Sequence, residues 1–107
     1  MPVILVDFDN QRVAEKDATV LSEAIRDILS EATGIEDVFV YANSSQIKVK
    51  VAPVEVFVEM SAGKIESVDV LISQIKARII DWKQKTEFPH LINLSLIPMP
   101  WKIEIGI

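Results

Sequence analysis

The sequence predicts one α/β (α+β) domain over residues 1–107, in which tandem βαβ units form a four-stranded mixed sheet with two helices on one face. The first observation is an internal repeat: residues 2–43 and 53–99 both read proline, strand, polar loop, helix, short connection, strand. The second is the change in each half from strand-like apolar runs to the three-and-four spacing of a helix. The third is length, since a chain of this size has room for one core.

Two arrangements satisfy this order of elements. In one, the strands of each half are parallel and are joined by right-handed crossovers. In the other, a ferredoxin-like βαββαβ arrangement, the same elements interleave into an antiparallel sheet. Periodicity does not separate the two, so both stay open at this point.

The first half opens with Val3 to Phe8, an apolar, β-branched run that is too short for a buried helix. From about Ala14 to Thr33, apolar residues recur three and four apart, which predicts an amphipathic helix. Gly34 is expected to end it, because glycine adopts the left-handed conformation at little steric cost. Residues 38–42 form the predicted second strand.

In the second half, Pro53 opens a predicted strand over residues 54–60, whose alternate positions are apolar. Ser67 is the expected N-cap of a helix that ends in Lys83-Gln84-Lys85, and Trp82 falls on the apolar stripe of that helix and is expected in the core. A strand from Leu91 to Ile97 follows, broken by residues 98–100.

Two short segments complete the prediction. Residues 47–51 and 101–107 alternate apolar and polar side chains with the period of a strand. An apolar terminal strand is a hazard as a free edge, so residues 101–107 are expected to pair with a neighbouring chain. Half of the residues are apolar, a surplus for so small a domain that also predicts a subunit interface.

Composition excludes several classes of function. The net charge is −5 and the eleven Lys and Arg are scattered, which argues against nucleic acid as a partner. There is no cysteine, and the single histidine, His90, has no companion that would predict a metal site. Since no apolar run approaches the length of a membrane span, we expect no membrane partner and a cytoplasmic location.

Pro2 is the candidate catalytic residue. If Met1 is removed, the nitrogen of Pro2 becomes a secondary amine, and a free α-amine has a pKa of about 8 that burial lowers towards the range of a general base. The plain alternative is that proline simply suits the first position of a strand.

Five short motifs stand out along the two-unit layout: Met1-Pro2, Arg12, Ala32-Thr33-Gly34, Ser61-Ala62-Gly63-Lys64-Ile65 and Ile92-Asn93. In these motifs and in nearly the whole layout, the chain resembles a known family, the tautomerase superfamily, and in particular its macrophage migration inhibitory factor branch. The resemblance implies a homotrimer that needs no cofactor and transfers a proton on a small keto or enol acid.

The resemblance also implies roles for individual residues. Pro2 would be the catalytic acid and base, and Arg12 would engage a substrate carboxylate, which suits its bidentate guanidinium. Ala62 and Lys64 would line the substrate pocket, and Asn93 would enter it from a neighbouring subunit.

Ile35, Phe39 and Leu91 depart from the family pattern, because polar pocket residues are expected at these three positions. The departures predict a side branch whose activity is weak or lost. The alternative function, from a different class, is a non-catalytic oligomeric module for ligand binding or assembly, in which Pro2 only starts a strand.

Overall fold

The structure is a computed structural model that describes all 107 residues. It contains four strands, two long helices and one short 3₁₀ turn. In chain order these are β1 (Val3–Phe8), α1 (Glu15–Thr33), β2 (Phe39–Asn43), β3 (Val54–Ser61), the 3₁₀ turn (Ala62–Lys64), α2 (Val68–Thr86) and β4 (Ile92–Met99).

The four strands form one mixed sheet in the order β2-β1-β3-β4. Within each half of the chain the strands are parallel, with Val3 beside Phe39 and Val54 beside Ile92. The two halves join through the antiparallel pair β1 and β3, in which Val3 lies beside Glu59. This topology confirms the tandem βαβ arrangement and excludes the ferredoxin-like alternative, whose sheet is antiparallel throughout.

Alternation along the central strands places the core on one side of the sheet. In β3, Val54, Val56, Val58 and Met60 are fully buried, whereas the intervening Glu55, Phe57 and Glu59 are only half-buried. Since β-strand side chains alternate between faces, the buried set lies under the helices and the other set lies on an open face. The helices complete the core with the following buried residues: Ala18, Leu21, Ile25, Ile28, Leu29, Leu71, Ile75 and Ile79.

The helix ends follow the sequence signals. Gly34 has a φ of 73° and donates its N–H to the carbonyl of Ser30, which closes α1 as predicted. Ser67 caps α2 by accepting the N–H of Val70. At the other end of α2, Glu87 takes the left-handed conformation with a φ of 57°.

Two predicted strands are absent from the structure. Residues 47–51 and 101–107 have the predicted alternation but belong to no strand. Their apolar side chains are largely exposed, as in Val49 and Ile105. For residues 47–51 the period-two pattern was wrong as a secondary-structure signal, because a strand also needs a hydrogen-bonded partner and this segment has none. The pairing of residues 101–107 with a neighbouring chain stays a prediction.

Two smaller predictions also change. Strand β4 continues through Pro98 to Met99, which a strand tolerates because β4 lies at the edge of the sheet. Trp82 is half-buried at the margin of the core and packs against Phe88, with 5.1 Å between ring centroids.

Neither helix is long and apolar enough to cross a lipid bilayer.

Ile75 and Ile80 of α2 offer a matched test of this packing, because Ile75 is fully buried and Ile80 is 45% exposed. We expect Ile75→Ala to lower the free energy of unfolding by about 2–5 kcal/mol, since it leaves a cavity in the core. Ile80→Ala should change it by less than about 0.5 kcal/mol. Urea unfolding measures both, and equal losses would contradict the assigned helix face.

Candidate active site

Pro2 lies at the amino end of the central strand β1 and is fully buried. It precedes Val3, which is flanked by β2 and β3, so neighbouring strands enclose it on both sides. Its carbonyl accepts the N–H of Phe39 at 3.1 Å. Met1 precedes it in the chain, so the nitrogen of Pro2 is here a peptide nitrogen without a hydrogen.

Ala62 and Lys64 lie at the same end of the sheet as Pro2. Because β3 runs antiparallel to β1, the carboxyl end of β3 meets the amino end of β1, and the 3₁₀ turn Ala62–Lys64 follows directly. Lys64 borders a cavity of about 440 Å³ between the end of α1 and the start of α2, next to Thr33 and Ser67. Pro2 is not among the residues that line this cavity.

Arg12 and Asn93 lie at the opposite end of the same sheet. Asn93 pairs with Glu55, which pairs with Asp7 near the carboxyl end of β1, and Arg12 is in the loop that follows this strand. The two ends of the sheet are separated by the length of β1, about 20 Å at about 3.3 Å per residue. A single chain therefore does not bring all five predicted site residues together.

The amide of Asn93 is held within its own chain. Its Nδ2 donates to Oε1 of Glu55 at 3.1 Å, on the open face of the sheet. Glu55 is in turn the cross-strand neighbour of Asp7. The carboxylates of Asp7 and Glu55 border a cavity of about 320 Å³ that Phe57 and Lys48 also line.

Asp9 organises the loop that carries Arg12. It is buried, and its Oδ2 accepts Nε of Arg12 at 2.7 Å, while Oδ1 accepts the N–H of Gln11 at 3.0 Å and Nζ of Lys48 at 3.2 Å. Its own N–H donates to the carbonyl of Pro53. Asp9 therefore fastens the β1–α1 loop to the segment between β2 and β3.

These contacts hold the pKa of Asp9 well below its ordinary value of 3.8, at about 2. The hydrogen bond from Arg12 is the largest cause, followed by the backbone N–H of Gln11 and then Lys48, and these outweigh the opposing effect of burial. The carboxylate is therefore ionised at neutral pH.

Arg12 and Lys48 differ in the donors they have left. The guanidinium of Arg12 uses Nε on Asp9 and Nη2 on the carbonyl of Val51, and its side chain is 47% exposed. The ammonium of Lys48 contacts Asn10 at 2.7 Å and Ser44 at 3.0 Å in addition to Asp9. Because an ammonium has three donors, Lys48 is saturated, whereas Arg12 keeps Nη1 free.

The structure shows where the three apolar residues that depart from the family pattern lie. Ile35, just after α1, packs on the core, while Phe39 and Leu91 are exposed by 42% and 74%. None of the three supplies a charge to either end of the sheet. In the whole chain, no group of three or more His, Asp or Glu side chains is placed to hold a metal ion.

Asp9 and Lys48 were missed as site residues by the sequence reasoning. The sequence analysis assigns no role to Asp9, and Lys48 lies in the segment 47–51 whose alternation predicts a strand. One signal was present: an acid three residues before Arg12 suits a local ion pair. Nothing in the sequence indicates that Lys48, 39 residues later, reaches the same carboxylate.

Comparison with solved structures identifies the fold. A malonate semialdehyde decarboxylase, studied for its decarboxylase and hydratase activities, is similar with a TM-score of 0.70 and 10% identity, over 98% of this chain and 92% of that one. A macrophage migration inhibitory factor-like protein of Entamoeba histolytica has a TM-score of 0.63 and 15% identity, over 96% and 95%. A fused 4-OT that forms an asymmetric trimer has a TM-score of 0.61 and 15% identity, over 91% and 85%.

The chain has a tautomerase fold. The similarity extends over nearly its full length, so both repeats contribute to the match. No protein-family model and no curated protein matches the sequence. At these identities the solved structures establish the tautomerase fold alone.

The pKa of Asp9 gives a testable pH dependence. A carboxyl group whose pKa is lowered on folding stabilises the folded state above its unfolded pKa, and this contribution is lost as pH falls through the folded pKa. Wild type should therefore exceed Asp9→Asn in melting temperature at pH 6, and the difference should shrink between pH 3.8 and about 2. Thermal unfolding followed by circular dichroism measures it, and a difference independent of pH would contradict the assigned ion pair.

Proposed function

We propose that this chain is a tautomerase-like isomerase that transfers a proton on a small keto or enol acid, with Pro2 as acid and base once Met1 is removed. The observation that carries the proposal is the burial of Pro2 at the start of the central strand of a tautomerase fold. Burial favours the uncharged amine, which is the form that accepts a proton. In this proposal the reaction needs no cofactor, and the protein is located in the cytoplasm.

In the proposed mechanism, the lone pair of the Pro2 nitrogen takes a proton from the carbon next to a carbonyl. The electron pair of the broken C–H bond moves into an enolate, whose oxygen gains negative charge. Lys64 and backbone N–H groups near Ala62 are at the same end of the sheet and would stabilise that charge. The protonated amine then returns its proton to another atom of the substrate.

The separation of the candidate residues supports a homotrimer as the active form. Pro2, Ala62 and Lys64 are at one end of the sheet, whereas Arg12 and Asn93 are at the other. A head-to-tail contact between copies would bring opposite ends together, and a rotation of 120° between copies closes such contacts into a ring of three. In this proposal the neighbouring copy supplies Arg12 for the substrate carboxylate and Asn93 as a hydrogen-bond partner. The fused 4-OT, itself a trimer, has the same fold.

A non-catalytic oligomeric module is the second candidate. The specific observation in its favour is that Asn93 is already bonded to Glu55 and that Ile35, Phe39 and Leu91 carry no polar pocket group. In this function the same assembly binds a ligand or a partner, and Pro2 only starts β1.

Pro53 opens β3 as Pro2 opens β1, so it provides a matched control for the catalytic test. Incubated with phenylpyruvate in D₂O, the mature protein should speed exchange of the benzylic protons in proton NMR. Pro2→Ala should lower that rate by about 10² to 10⁴, the usual contribution of a general acid or base. Pro53→Ala should keep it.

Intact mass spectrometry of the protein from its native cell completes this test. The proposal requires a mass without Met1. Retention of Met1, or a Pro2→Ala variant as fast as wild type, would exclude Pro2 as the acid and base. A mature protein that does not speed the exchange would leave the non-catalytic module as the function.

Assembly is tested with two residues of similar exposure. Tyr41 lies on the open face of the sheet and is 56% exposed, and Val20 lies on α1 and is 51% exposed. In light scattering after size exclusion, wild type and Val20→Asp should both have three times the chain mass of 12.0 kDa. Tyr41→Asp should dissociate, because a charge would be buried without a partner. A monomeric wild type would refute the trimer.

A further inference from the structure

Beyond the role of Arg12, we propose that Asp9 and Lys48 are positioning residues that convert Arg12 into a rigid anion subsite of net charge +1. The inference rests on the proposed function for the role of Arg12, but it concerns two residues that have no part in that function. It is carried by the bonds among the three side chains and by the cavity beside them.

The first step of the argument is geometric. Two different segments of the chain hold the guanidinium of Arg12, because Asp9 accepts its Nε and the carbonyl of Val51 accepts its Nη2. Asp9 is itself held by the backbone N–H of Gln11 and the carbonyl of Pro53, so the position of its carboxylate does not depend on Arg12 alone. The guanidinium is planar, and fixing one edge also fixes the direction of the remaining donors.

The second step concerns the space beside the free donors. Arg12 borders a cavity of about 310 Å³, together with Gln46 and Lys50. Both of these are exposed, and Lys50 forms no ion pair within the chain. A small anion in this cavity would meet donors that are already oriented, which reduces the entropy lost on binding.

The third step concerns charge. Asp9 and Arg12 alone are neutral as a pair and would attract an anion weakly. Lys48 adds a second positive charge, so the three side chains together carry +1 in a chain whose net charge is −5. Since the three donors of Lys48 are used on Asp9, Asn10 and Ser44, it acts on the anion through its charge and not through contact.

Arginine NMR tests this directly and does not depend on catalysis. The chain has three arginines, so a spectrum of the ¹⁵Nε groups has three signals, and Arg26 and Arg78 serve as internal controls because each forms an exposed ion pair elsewhere. The probe is malonate, titrated into the wild-type protein at low salt. We expect a saturable shift of the Arg12 signal alone.

Asp9→Asn separates positioning from simple charge. If Asp9 only reduced the positive charge, its removal would strengthen malonate binding. If Asp9 positions Arg12, the side-chain amide of Asp9→Asn would hold the guanidinium less firmly, because its NH₂ group faces donors instead of accepting from them. Malonate binding should then weaken by about tenfold despite the added positive charge. With an enol acid as substrate, the same variant should raise KM and leave kcat near the wild-type value.

Lys48→Met and Lys48→Arg form the second, matched pair of variants. Loss of the charge should weaken malonate binding about fivefold at low salt and less as salt rises. Lys48→Arg keeps the charge and should restore most of the affinity. This pair keeps the test valid if Asp9→Asn does not fold.

Three results would overturn the inference: no shift of Arg12 with malonate, tighter binding by Asp9→Asn, or equal weakening by both Lys48 variants. The outcome is distinguishable from that of the proposed function. If the protein binds malonate at Arg12 but does not catalyse proton exchange, the anion subsite stands and only the proposed isomerase function is refuted.

Discussion

The antiparallel pairing of β1 with β3 is the constraint on which the rest of the structure depends. Each βαβ unit has two parallel strands and one helix, and the central pair joins the two units into one sheet with one core. Because the pair is antiparallel, the start of β1 and the end of β3 coincide. Pro2 is therefore placed beside the 3₁₀ turn Ala62–Lys64, and the loop with Arg12 is placed at the opposite end.

That opposite end is held by polar contacts. Asp9 joins the β1–α1 loop to the segment between β2 and β3, and the charge of its carboxylate is compensated by Arg12 and Lys48. Buried carboxylates persist in proteins when they are paired and hydrogen-bonded, as this one is. The low pKa of Asp9 follows from the same contacts, so one ion-pair network both orders the segment between β2 and β3 and orients the free guanidinium edge.

The uncovered surfaces connect the fold to the proposed assembly. The open face of the sheet combines half-buried apolar residues such as Leu5 and Phe57 with carboxylates such as Glu55. The segments 47–51 and 101–107 have strand periodicity without a strand partner, and the indole N–H of Trp101 is buried without an acceptor. Buried polar groups are normally satisfied, so these features fit a chain whose neighbours complete it.

The sequence by itself determined the order of the four strands and two long helices that the structure contains, because local periodicity, Gly34 and Ser67 act through contacts within a few residues. It also indicated a family layout, and with it the tautomerase fold that the solved structures share. Only the tertiary structure decided between parallel and antiparallel pairing, because pairing depends on which distant strands meet. For the same reason it alone showed that residues 47–51 form no strand, that Asp9 and Lys48 are partners, and that the candidate site residues divide between two ends of one sheet.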